Sequence, residues 1–64
     1  MEEGNEIITI MQNMEAQIHT AIEDATKFTD SGNKSAGTRL RGTMQNVKSL
    51  AQQVRLEVQA QKNA

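Results

Sequence analysis

The sequence predicts an all-α protein, an antiparallel two-helix hairpin expected to dimerise into a four-helix bundle. Three observations lead there. The 64 residues contain no proline and one aromatic, Phe28. That composition suits long uninterrupted helices and argues against a sandwich or barrel, which needs β-branched and aromatic runs broken by frequent turns. Each half of the chain carries apolar residues spaced alternately four and three apart, and a single cluster of turn-forming residues separates the halves.

The length confines the chain to one domain, residues 1–64. Chains this short rarely stabilise themselves through one core and normally need a staple. There is no cysteine to form a disulfide, and the lone His19 cannot make a structural zinc site. Self-association is the remaining source of stability, so a homodimer or higher oligomer is expected.

Helix one is expected over about residues 5–30, with Asn5 as its N-cap. Ile7, Met11, Met14, Ile18, Ala21, Ala25 and Phe28 form its heptad seam, the pattern of a left-handed helix pair. Ile8, Ile10 and Ile22 widen the apolar face beyond what two helices need. The turn falls at 31–34, where Gly32 can take the left-handed conformation that ends a helix and Ser31 or Asn33 can cap the next one. Helix two is expected over about residues 35–62, with Leu40, Met44, Val47, Ala51, Val54, Val58 and Gln61 in the seam and Leu50 beside it. The expected core and dimer contacts are Ile7, Met11, Met14, Ile18, Ile22, Phe28, Leu40, Met44, Val47, Leu50, Val54 and Val58. Leu56 falls on the outer face, with no place in an intramolecular seam. Gly37 and Gly42 each cost a helix interior about 1 kcal/mol. A loose first turn or a close helix crossing explains them, and close approach to a phosphate is the alternative.

The formal net charge is −1, but its distribution is uneven. Residues 1–32 carry Glu2, Glu3, Glu6, Glu15, Glu23, Asp24 and Asp30 against Lys27, a balance of −6. Residues 33–64 carry Lys34, Arg39, Arg41, Lys48, Arg55 and Lys62 against Glu57, a balance of +5. Such asymmetry suggests either halves that pair or a face meant for a polyanion. Within the second half, Lys34, Arg41, Lys48, Arg55 and Lys62 recur every seven residues. On a helix they stack in one line, about 10 Å apart. Arg39 adds a charge near the helix start, where the free N–H groups of the first turn favour anions. Interhelical ion pairing is the competing explanation for the ladder. The matching flank of helix one holds Ile8, Glu15, Ile22 and Thr29, which is poorly complementary.

No constellation supports catalysis. Gly32–Thr38 has two glycines at phosphate-loop spacing, but Thr38 stands where that loop needs lysine, and a helix precedes it instead of a strand. His19 has no second ligand or nucleophile beside it. Glu23 and Asp24 point in different directions on a helix, so they make no catalytic carboxylate pair. Met11, Met14 and Met44 read as adaptable core filler and Met1 as the initiator. No aromatic interleaves with the basic residues, which argues against base stacking. No apolar stretch approaches a membrane span, and the acidic first helix disfavours anionic lipid surfaces. The acidic N-terminus has no basic-then-apolar leader, and a cytoplasmic protein without cofactor, metal or small-molecule substrate is expected.

The run Gly32-Asn33-Lys34-Ser35-Ala36-Gly37-Thr38-Arg39-Leu40-Arg41, followed by Val47, Leu50, Ala51, Arg55, Glu57 and Lys62, resembles the small bacterial linker-histone-like proteins of the chlamydial type. The likeness covers about residues 32–63; helix one is similar in character more than residue by residue. The resemblance implies nucleoid association, with sequence-independent DNA binding and chromosome compaction. It makes Lys34, Arg39, Arg41, Lys48, Arg55 and Lys62 the expected phosphate contacts. The better known members carry a long lysine- and alanine-rich tail, and this sequence reads as a tail-less member. The expected function is therefore histone-like DNA binding by a homodimer. The alternative is a helical oligomerisation or protein–protein interaction module without DNA binding.

Overall fold

Two asparagines start the two helices. The structure is a computed structural model that describes residues 5–63; Met1, Glu2 and Glu3 lie outside that range. The side chain of Asn5 accepts a hydrogen bond from the Ile7 N–H at 2.8 Å and opens helix α1, Glu6–Ser31. The side chain of Asn33 accepts from the Ala36 N–H at 3.0 Å and opens helix α2, Lys34–Lys62. Each cap satisfies a donor that the helix itself leaves free. Of the two residues able to cap α2, Asn33 takes the role and Ser31 ends α1. Gly32 stands between the helices in the left-handed region, with φ 67° and ψ 25°. Its N–H donates to the Phe28 carbonyl at 3.1 Å, and the Asn33 N–H donates to the Lys27 carbonyl at 3.2 Å. A side chain at φ 67° would be strained, so glycine is required there.

The chain is all-α, an antiparallel hairpin with no strand among the described residues. Its extents are 49 × 22 × 12 Å, and the shortest is one helix thick. The radius of gyration is 15.0 Å, against about 11 Å for a globular chain of this length.

The packed line differs from the expected seam. In α1 the residues turned toward α2 are Ile7, Ile10, Met14, Gln17, Ala21, Asp24 and Ala25. In α2 they are Ala36, Leu40, Thr43, Val47, Leu50, Val54 and Glu57, with Gly37 and Ala51 at the edge. The four–three alternation is retained, but one of its two columns is displaced by a residue. Ile10, Gln17 and Asp24 take the places expected of Met11, Ile18 and Ala25; Thr43, Leu50 and Glu57 take those expected of Met44, Ala51 and Val58. Met11, Ile18, Met44 and Val58 are consequently exposed, and Ile22 and Phe28 are exposed as well; within the single hairpin these six expected core or dimer contacts are not enclosed.

The cause lies at the turn. A two-residue connection brings the helices together where their residues are small: Ala36 has no exposed surface, and Ala21 is buried two turns further along the seam. Gly37 receives the ring of Phe28; a Cβ there would stand 2.6 Å from the ring's Cδ1. On the opposite side of the seam, Asp24 is buried and accepts from the Arg39 guanidinium, with Nε and NH2 both 3.1 Å from Oδ1. Ring and ion pair together set the rotation of both helices, and they carry Gln17, Thr43 and Glu57 into the seam with Asp24. Among the described residues, Ile10, Ala21 and Ala36 are the buried apolar ones, and no large side chain is fully enclosed. The hairpin's own core is thin.

The rotation gives the hairpin two unlike sides. On the side of Phe28 and Gly37 lie Met11, Ile18 and Ala25 of α1 and Met44, Ala51 and Val58 of α2, with Ile8 and Ile22 at the outer edge. On the side of the ion pair lie Asn13, Thr20, Lys27, Arg39, Asn46 and Gln53.

Candidate nucleic-acid interface

A seven-residue repeat returns to the same side of a helix with a small lag. In α2 it places Lys34, Arg41, Lys48, Arg55 and Lys62 along one outer edge, and all five are exposed. They stand at the rim of the apolar side, since Lys34 and Arg41 share an open recess with Phe28, Gly37 and Leu40. A second shallow groove lies between Lys48 and Arg55, floored by Gln45, Ser49, Ala51 and Gln52.

Among the described residues, none of these five cations lies within ion-pairing distance of an acid; the ion pair present is Arg39 with Asp24. In an antiparallel pair the two outer edges point away from each other, so the ladder does not face Ile8, Glu15, Ile22 and Thr29 within its own hairpin. Arg39 stands apart from the ladder. It lies on the other side of α2 and its guanidinium is turned to Asp24, although about half of its side chain remains in solvent.

Two features of α2 were not read from the sequence. Glu57, its single acid, sits in the seam toward α1. The outer surface of α2 therefore holds no negative charge. Next to the ladder runs a second heptad column, Thr38, Gln45, Gln52 and Gln59, all exposed. Its amides and hydroxyl can donate to anionic oxygens. The same seven-residue counting that found the lysines and arginines would have found this neutral row. The acids Glu15, Glu23 and Asp30 are exposed on α1. His19 is exposed as well, and no group of acids, histidines or cysteines among the described residues could hold a metal ion. No helix here is long and apolar enough to cross a membrane.

Comparison with known families settles what kind of chain carries this edge. The profile described as histone H1-like protein Hc1 matches residues 9–64. The chain belongs to the Hc1 family. The match begins at Thr9, at the end of the first turn of α1, so the likeness extends well beyond the residues around the turn and α2 that first suggested it. Nearly all of α1 and the whole of α2 lie within the matched residues. Membership supports a histone-like, DNA-binding role in general, in a family that packages DNA and is not enzymatic. No curated protein and no solved structure matches the chain.

Proposed function

We propose that this Hc1-family chain binds double-stranded DNA without sequence preference through the outer edge of α2, as a homodimer associated with the nucleoid. The observation that carries this reading is the acid-free outer surface of α2, on which Lys34, Arg41, Lys48, Arg55 and Lys62 stand in one exposed line. Lysine and arginine neutralise phosphates and release condensed counterions, which supplies affinity without reading bases. The Thr38, Gln45, Gln52 and Gln59 row adds neutral donors to the same backbone. Arg39, placed on the opposite side, contributes to the hairpin through Asp24 and only weakly to DNA.

The test is fluorescence anisotropy with duplexes of unrelated sequence at about 50 and 200 mM salt. Binding is expected to fall steeply with salt and to be alike for all duplexes. The triple variant Arg41→Gln/Lys48→Gln/Arg55→Gln should keep its helicity and lower the salt slope by about 3. Absence of binding at low salt would refute the reading. It would favour the second one, a helical interaction module, which the exposed apolar side of the hairpin supports.

A further inference from the structure

The apolar side of the hairpin has no cover among the described residues. Ile22 is 59 % exposed and Ile8 53 %, and Met11, Ile18, Phe28, Met44 and Val58 are each more than one third exposed. They lie on one side of the molecule, and the other side is polar apart from Leu56, which is 60 % exposed. The chain exposes 5001 Å², whereas a folded monomer of 7.1 kDa exposes about 4100 Å². The excess of about 900 Å² is close to the roughly 800 Å² that each partner hides in a standard interface.

We infer that this side is covered by a second copy of the chain, packed face to face with α1 of each copy over α2 of the other. The inference rests on the homodimer reading above and is independent of DNA binding. Charge selects the arrangement. Two hairpins can meet on these faces with like helices stacked or with unlike helices stacked. Stacking like helices sets the ladder of α2 beside a second ladder, and the Ile8, Glu15, Ile22 and Thr29 edge of α1 beside its own copy. Stacking unlike helices keeps the two ladders apart and sets each beside the α1 edge that holds Glu15, and separating like charges that flank a helix seam favours association.

The arrangement fixes a register. Phe28 beside Gly37 and Asp24 beside Arg39 show which heights of the two helices coincide. A two-fold axis parallel to the helices preserves those heights. Lys48 then stands level with Glu15 of the second copy. Arg41 and Arg55 stand level with its Ile22 and Ile8, whose exposed side chains their aliphatic stems can cover while the charged heads stay in water. Ile8, Glu15 and Ile22, which match nothing in their own hairpin, thereby acquire partners. The two ladders emerge on diagonally opposite edges of the bundle and face away from each other.

Sedimentation equilibrium without DNA tests the inference. The wild-type chain should run at twice its chain mass. Ile18→Gln/Ile22→Gln should remain helical and weaken the dimer about a hundredfold. Because that variant can lose its fold along with its partner, cysteines introduced into the otherwise cysteine-free chain give a second readout. Ala51→Cys should cross-link through a short bis-maleimide, and Asn46→Cys, on the polar side, should not. Mixed Glu15→Cys and Lys48→Cys chains should form a disulfide with each other. A monomer at about 100 µM, cross-linking through Asn46→Cys, or self-pairing of Lys48→Cys would each overturn it. Loss of DNA binding with the dimer intact would instead count against the ladder alone.

Discussion

Gly37 and Gly42 lie five residues apart on α2 with opposite surroundings. Nothing lies within 4 Å of a Cβ built at Gly42, whereas one at Gly37 collides with the Phe28 ring. Gly42→Ala should therefore remove a helix-interior cost of about 1 kcal/mol and raise the melting midpoint by about 4–8 °C. Gly37→Ala gains the same propensity but must push the ring outward and open the end of the seam, so its midpoint should stay level or fall. Thermal denaturation followed by circular dichroism compares the two. An equal rise in both would show that the ring does not hold the crossing. Asp24 and Arg39 make a related point. A buried carboxylate is costly unless paired, and Arg39, which the family pattern offers as a phosphate contact, is turned toward Asp24.

At the scale of the elements, the caps bear most directly on whether the hairpin forms. Asn33 caps α2 immediately after a left-handed glycine, so the chain reverses within two residues. Asn33→Ala should cost about 1 kcal/mol, and Asn33→Gly only a few tenths; urea unfolding would measure both. If the two variants were equally destabilised, the amide would not be the cap. Helix identity, the turn and both caps were legible in the sequence because they depend on local chemistry: Asn5, Gly32 and Asn33 act on residues within a few positions of themselves. The rotation of the helices was not legible. Periodicity finds a seam by following apolar residues, and here Gln17, Asp24, Thr43 and Glu57 occupy it while Met11, Ile18, Met44 and Val58 do not. The decisive contacts, Phe28 with Gly37 and Asp24 with Arg39, lie nine and fifteen residues apart in sequence, beyond the reach of a local pattern. The ladder was found because its own period is seven, whichever way the helix is turned. Its setting on an acid-free surface became visible only once Glu57 was seen to face inward.

For the whole molecule, the one-layer shape and thin core would link folding to association in the proposed dimer. A protein whose native state binds a second copy gains stability by mass action. The melting midpoint should therefore rise steadily with protein concentration, and scans over a hundredfold range would show it. A midpoint independent of concentration would mean that the isolated hairpin supports itself.

The length of α2 sets one more quantity. From Lys34 to Lys62 the ladder runs about 42 Å along the helix, which is a little over one turn of B-form duplex at about 3.4 Å per base pair. A straight row of cations held against a duplex over that distance meets the winding phosphates of both strands in turn, instead of following one strand. In the proposed complex the footprint would thus be about 12 base pairs for each ladder, whatever the sequence beneath it. Occupancy on long DNA would then be governed by how many such lengths remain vacant between neighbours.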